Sequence, residues 1–381
     1  MAGSADHRSA ARVKPQNVGV RLAHWSLHVY RLPYVREIKW VYAAEDAGDY
    51  ALLTLVSDSG LTGIAEGVIK PTRTGTSARS LAVALETVVL PQLHNLNLKD
   101  EEAVSRALAR VPENRLAKAM VDNACWTLRA AAAQKPLWQL LGGEREVELA
   151  YMLTRQPPAK MAAETGEACA RHGFRTLKVQ GGQGRETDLR TLAEVRAAAG
   201  PGVALYVDAN GSYAREEAAD YVRALADAGV IVAEDPCALA PDAVFESLQR
   251  ASPIPILVDL SCTSAKDAEL YAGRGVQALA AKPARTGLTE ARAIDAVAAQ
   301  CGARTALAVY YESAIGSVIS LSLAGALASA QPLPCSHSFF LLLGAQVTKE
   351  LPKISGGKLT LPDEPSLERL VDWDAVKRLK L

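Results

Sequence analysis

Three acidic residues each close a short apolar run: Asp208 ends 204–208, Glu234 ends 230–234, and Asp259 follows 256–258. Apolar runs of this length, bounded by polar residues, read as buried strands. Between the first two, Ala218, Tyr221, Val222, Leu225 and Ala228 recur at helical spacing, which makes 204–236 one strand-helix-strand unit. Parallel strands joined in this way have their C-terminal ends side by side, so Asp208 and Glu234 share one rim although 26 positions separate them. An acid at a strand end is ordinarily a helix cap or a surface residue; the signal here is three in register. Three carboxylates from consecutive strands are an oxygen-ligand set for a hard divalent cation. Mg²⁺ suits it, because few carboxylates leave positions for water and substrate oxygens, and Mn²⁺ is the second candidate.

Two lysines flank the trio. Lys178 follows the apolar run 174–177 and Lys282 follows 278–281, four strands apart. Amines placed there approach a substrate from opposite faces, and a lysine beside a metal or another cation has its pKa lowered towards that of a usable base. The structural alternative is that each lysine is a countercharge to the acids. For Lys178 both readings stand; for Lys282, isolated in the run Leu279-Ala280-Ala281-Lys282-Pro283, the chemical one is preferred.

The elements that position these residues repeat. From position 178 the polar strand ends recur at 208, 234, 259, 282 and 312, steps of 30, 26, 25, 23 and 30 residues, each the length of one βα unit. About eight strands, counted from Val147 to an apolar run near Phe339, predict an α/β fold with a (β/α)₈-type, TIM-like barrel in modified form. A doubly wound sheet is the alternative, but it does not explain polar residues at so many successive strand ends. Before the barrel, β-rich segments at 18–30 and 50–57, a turn at Asp58-Ser59-Gly60, and helical patterns at 81–90, 101–111 and 116–133 predict an α+β capping domain. The intervening 32–48 reads as a long polar and aromatic loop and a candidate lid. The expected domains are a disordered leader over 1–17, the capping domain over 18–143, the barrel over 144–345, and a segment over 346–381 that returns to the cap.

Composition bounds the function. The 381 residues carry 42 Lys and Arg against 42 Asp and Glu, so no excess charge argues for a nucleic-acid partner. No apolar run is long enough to span a membrane. Six scattered cysteines without a CxxC pair favour free thiols in a reducing, cytoplasmic compartment. Barrel enzymes with apolar outer helices commonly assemble, so a homo-oligomer is expected.

At these residues the chain resembles the enolase superfamily, in its mandelate racemase and muconate lactonizing enzyme branch. The resemblance runs through KPLWQLLGG at 135–143, Lys178-Val179-Gln180, Asp208-Ala209-Asn210, Glu234-Asp235-Pro236, Asp259, Lys282, and Glu312-Ser313-Ala314-Ile315-Gly316. A lysine after the sixth strand makes it similar to the muconate lactonizing subgroup. The resemblance implies Mg²⁺ on Asp208, Glu234 and Asp259, binding the carboxylate of a small substrate. Lys282 would remove the α-proton to give a metal-stabilised enediolate, with Lys178 and Glu312 as further catalytic residues. Gln180, Asn210, Tyr311 and His337 would contact the substrate, and the cap, especially 32–48, would cover the site.

The sequence departs from the subgroup in three places. Gln180 stands where the second lysine of Lys-x-Lys is usual, Leu260 follows the third metal ligand in place of Glu, and Cys335-Ser336-His337 follows the eighth strand. Glutamine does not titrate, so a two-base racemase lacks one proton carrier. A β-elimination or cycloisomerisation by one base, Lys282, is therefore preferred; a racemase or epimerase, or a catalytically silent metal-binding relative, is the alternative. His337 is either a replacement acid or a core histidine. Arg36, Lys39, Lys70 and Arg73 are candidates for a second substrate carboxylate.

Overall fold

The structure, a computed structural model, describes residues 20–330 and 332–381; the leader expected over 1–17 lies outside the described residues. Three antiparallel strands open it: β1 (Leu22–Lys39), β2 (Ala44–Ser57) and β3 (Thr62–Ile69). The turn at Asp58–Gly60 joins β2 to β3 as expected, with Gly60 at φ 77°, where a Cβ would be strained. One expectation fails here. Residues 32–48 are not a loop but the far half of the β1–β2 hairpin, with Leu32 opposite Gly48 and Lys39 opposite Ala44. Pro33 and a register irregularity between Pro33 and Ile38 break the alternation that marks a strand. Buried Leu32, Tyr34, Ile38 and Trp40 supply the apolar face that sets it.

One face of this sheet packs on α2 (Ala78–Ala84), α3 (Glu101–Ala109) and α4 (Arg115–Ala133), with Leu53, Leu55, Leu85 and Leu128 in one cluster, while the short α1 (Pro71–Thr74) between β3 and α2 buries no side chain. Burying each such leucine stabilises the fold by roughly 1.5–3 kcal/mol. Gly63 sets how closely α4 approaches, since a Cβ there would lie 2.1 Å from the Ala124 carbonyl oxygen.

The second layer is a curled parallel sheet of β5 (Tyr151–Leu153), β6 (Thr176–Gln180), β7 (Ala204–Asp208), β8 (Val230–Glu234), β9 (Ile256–Val258), β10 (Ala278–Ala281) and β11 (Arg304–Leu307), paired in chain order. The expected strand from Val147 to Leu153 is split. Its first part, β4 (Glu146–Glu148), leaves the barrel to pair with β13 (Lys358–Thr360), which also pairs with β12 (Lys353–Ser355). The eighth strand is not at Phe339, which begins a 3₁₀ turn. The ring closes instead through Leu333 beside Ala306 and Cys335 beside Leu149. Beyond them, Ser336 Oγ accepts the Val309 N–H and Ser338 Oγ accepts the Met152 N–H, so serine hydroxyls replace the backbone ladder. Ala150, Ala278, Ala280, Ala306 and Ala308 pack with the larger Tyr206, Val232, Leu257 and Leu333 in the interior. The chain end meets β1, where Arg31 donates to the Leu379 carbonyl and Leu381 to that of Val29. The fold is an α+β cap on a modified (β/α)₈ barrel.

Candidate active site

Register brings the strand-end residues together: Gln180 pairs with Asp208, and Asp208 with Glu234, across β6, β7 and β8. Above them, between barrel and cap, lies a cavity of about 630 Å³. Lys178, Gln180, Asp208, Asn210, Asp259, Lys282 and Tyr311 reach its wall; Glu234, Glu312 and His337 do not. Its cap side is built from 73–84 and 113–117, not from the hairpin over 32–48. That hairpin packs alongside, with the Trp40 and Tyr311 rings 4.5 Å apart and Tyr50 donating to the Tyr311 carbonyl.

The floor is a buried ionic row. Lys178 Nζ lies 2.7 Å from both Glu234 oxygens and 3.0 Å from Asp208 Oδ2. Burial works against its charge, but Asp208 and Glu234 outweigh burial and raise its pKa well above the ordinary lysine value. Burial and Asp208 push the Glu234 carboxyl up, against Lys178. Lys282 Nζ lies 2.5 Å from Asp259 Oδ2, and Arg285 holds Asp259 Oδ1 at 3.2 Å. Burial also opposes the Asp259 charge, yet with Lys282 and Arg285 beside it the pKa is driven down. Lys282 shares that single carboxylate with Arg285, and burial together with Arg285 and Lys178 outweighs it, so its pKa is lowered. Asp235, at φ 40°, accepts the N–H groups of Asp259 and Leu260 and fixes the turn that carries Asp259.

Among the described residues no three Asp, Glu, His or Cys side chains converge on one point; the acids are turned to the lysines. The donor set nevertheless fits a hard divalent cation. Three buried carboxylates line adjoining strand ends, and Glu234 Oε2 and Asp259 Oδ1 accept no well-aligned hydrogen bond. Gln180 bridges its neighbours, donating to Asp208 Oδ2 at 3.0 Å and accepting from Asn210 Nδ2 at 2.8 Å.

Glu312 and His337 lie behind the wall, both wholly buried, 3.3 Å apart. Glu312 accepts the Tyr310 N–H at 2.5 Å and the Ser320 hydroxyl at 3.0 Å; burial opposes its charge, but His337 and the backbone N–H groups of Glu312 and Tyr310 lower its pKa. They brace the turn that holds Tyr311 at φ 67°. Of the four cap cations considered, Arg36 pairs with Glu164 and Lys70 with Glu45, Lys39 lies on β1 outside the cavity wall, and Arg73 reaches that wall. Two residues escaped the sequence reading. Arg285 has no motif around it. Glu66 had a signal, a lone acid inside the apolar strand β3: it accepts the Tyr30 hydroxyl at 2.8 Å and both the N–H and hydroxyl of Ser313, tying cap to barrel.

Residues 29–142 match the family model for the mandelate racemase / muconate lactonizing enzyme N-terminal domain, and 160–367 match that for the enolase C-terminal domain-like family. An N-succinylamino acid racemase of Thermus thermophilus is 31% identical over 313 residues, 80% of this chain and 83% of that protein. Muconate cycloisomerase 1 of Rhodococcus opacus is 27% identical over 358 residues, 91% of this chain and 95% of that one. A dipeptide epimerase of Enterococcus faecalis, solved with Mg and the dipeptide L-Leu-L-Tyr, superposes with a TM-score of 0.82 at 22% identity, covering 92% of this chain and 99% of the other. With both models matched over most of its length, the chain belongs to the mandelate racemase and muconate lactonizing enzyme family of the enolase superfamily, and is an enzyme of the isomerase or lyase kind.

Proposed function

We propose that this enzyme removes the α-proton of a small carboxylate with Lys282 and completes the reaction by β-elimination or cycloisomerisation, with no second proton carrier opposite. The observation that carries this reading is Gln180: it reaches the cavity beside Lys178, is held by Asp208 and Asn210, and does not titrate, so it cannot serve as acid or base. Asp208, Glu234 and Asp259 would hold Mg²⁺, which when bound supplies positive charge at the substrate carboxylate. The amine of Lys282 takes the α-proton, and the C–H electron pair moves onto the carboxylate. The Lys178 ammonium, already charged, faces the charge that develops there. Return of that electron pair expels a group from the β-carbon; run in the opposite direction, addition of an internal nucleophile at the β-carbon closes a ring, moves the electron pair onto the carboxylate, and the Lys282 ammonium then delivers a proton to the α-carbon. Gln180, Asn210 and Tyr311 contact the substrate. Glu312 and His337 act from behind the wall by fixing Tyr310 and Tyr311.

The division into cap (18–143), barrel (144–345) and returning tail (346–381) belongs to the same reading, as do a cytoplasmic location and a homo-oligomeric state. All six cysteines are free, and no helix among the described residues is long and apolar enough to cross a membrane.

A second reading, epimerisation, is favoured by one observation: Lys178 and Lys282 reach the same cavity from strands separated by the three that carry the acids. Solvent-deuterium exchange with Mg²⁺ present, across acid sugars, muconolactones and N-acyl amino acids, separates the two. Exchange at the α-carbon with retained configuration or with elimination supports the one-base reading. Inversion of the α-carbon overturns it.

A further inference from the structure

Two tyrosines line the cavity, Tyr310 and Tyr311, and their hydroxyls differ. Elsewhere in the chain such hydroxyls are engaged, Tyr30, Tyr151 and Tyr221 donating to carboxylates and Tyr50 to a carbonyl. That of Tyr311 lies against the Tyr42 hydroxyl. Tyr310 is 6% exposed, and among the described residues its hydroxyl has no hydrogen-bond partner, yet it is not one of the atoms sealed from solvent. It opens on the cavity. The residue itself is held firmly: Glu312 accepts its backbone N–H, and its ring lies 5.6 Å from that of Tyr311. Tyr310 follows β11 as Lys282 follows the adjoining β10, and Lys282 Nζ lies 5.9 Å from the centre of its ring, within reach of a cation–π contact.

Elimination of a hydroxyl from a β-carbon needs a proton on the departing oxygen, and Gln180 cannot supply it. We infer that the Tyr310 hydroxyl is that acid, so that the enzyme dehydrates a β-hydroxy acid with base and acid on the same side of the substrate. The inference deepens the reading above, selects its elimination branch, and rests on it for Lys282 as the base. Lys282 takes the α-proton and the C–H electron pair moves onto the carboxylate. Its return forms the α,β double bond, the β C–O bond breaks with its pair on oxygen, Tyr310 gives that oxygen its proton, and water leaves. The Lys282 ammonium formed in the first step returns a proton to the phenolate through cavity solvent. The surroundings suit both forms: burial raises the Tyr310 pKa, which keeps the phenol protonated until it is used, and Arg285 and Arg73 work the other way, which favours the phenolate once it forms.

The test uses racemic glycerate and racemic β-chlorolactate with the full-chain protein and Mg²⁺. Each loses its β-group to give pyruvate, read by NMR, but chloride departs without a proton and hydroxide does not. The wild type is expected to form pyruvate from both. Tyr310→Phe should slow glycerate by at least about 10²-fold, the lower range for a positioned acid, and β-chlorolactate by less than about threefold. Tyr310→His, which keeps a proton donor, should recover part of the loss, and an unchanged thermal melt in Tyr310→Phe separates loss of the acid from loss of the fold. Pyruvate from neither acid, glycerate turnover unchanged in Tyr310→Phe, or an equal loss on both acids overturns the inference. In each of those cases, α-deuterium exchange into lactate that is lost in Lys282→Met leaves the proton-abstraction reading standing. Dehydration of glycerate lost in Tyr310→Phe but unchanged in Lys282→Met does the reverse, keeping Tyr310 as the acid and removing Lys282 as the base.

Discussion

Asn210 Nδ2 donates to Gln180 Oε1 at 2.8 Å, and Gln180 Nε2 in turn donates to Asp208 Oδ2, so the side chain at 180 is a fixed bridge between two strand ends. Asn210 takes part from a left-handed turn at φ 52°, which asparagine tolerates, with its own N–H on Asp208 Oδ1.

From this bridge follows the effect of restoring a titratable group. Gln180→Lys places an amine beside Lys178, within the field of Asp208, and is expected to add α-carbon inversion to an enzyme that otherwise exchanges its substrate with retention. Chiral chromatography of the recovered substrate checks it. Gln180→Leu, in contrast, leaves the Asn210 amide and one Asp208 contact without a partner and should cost about 1–3 kcal/mol in chemical unfolding.

Glu66 couples cap to barrel through a titration. Burial raises its pKa from 4.5 to about 7, against the bonds from Ser313 and Tyr30 that lower it. The folded state therefore takes up this proton more readily than the unfolded chain. The sign follows: the contribution to stability is full below pH 4.5 and is lost as pH rises through about 7. Glu66→Gln keeps an acceptor for the Ser313 N–H but does not titrate. Relative to that variant, the wild type is expected to lose on the order of 3 kcal/mol across this window, a raised pKa of two to three units at about 1.4 kcal/mol each. Unfolding measured at a series of pH values tests it; parallel curves for the two proteins contradict it.

Divalent metal should stabilise the fold as well as activate it. Glu234 Oε2 and Asp259 Oδ1 are buried without a well-aligned donor, and a cation bound there at 100 times its Kd adds about 2.7 kcal/mol. Addition of Mg²⁺ is expected to raise Tm, chelation to reverse the rise and stop α-exchange, and Asp259→Asn to weaken both effects. An unchanged Tm across the Mg²⁺ range contradicts the assignment of the three acids.

Much of the barrel was legible because its signal repeats. An apolar run closed by a polar residue every 23 to 30 positions is the trace of parallel strands sharing one rim, and Asp208, Glu234, Asp259 and Lys282 all lie there. The hairpin over 32–48 was not legible, because Pro33 and the register irregularity interrupt the period of two, and the burial that holds Tyr34, Ile38 and Trp40 comes from contacts distant in sequence. The closing strand was misplaced because two isolated bridges and serine hydroxyls do the work of a ladder. The cap wall over 73–84 and 113–117 carries no motif, and only the fold turns it towards the cavity. Glu312 and His337 show the converse: their types suggest chemistry, and their depth places them behind the wall.

The most direct measurement takes whichever acid exchanges its α-proton with the wild type and repeats the deuterium exchange with Lys282→Met under saturating Mg²⁺, alongside calorimetric titration of Mg²⁺ into the variant. Loss of exchange by at least about 10²-fold, the lower range for a positioned general base, with Mg²⁺ affinity retained, is the expected result. Exchange at the wild-type rate in Lys282→Met would contradict the assignment of this lysine as the base.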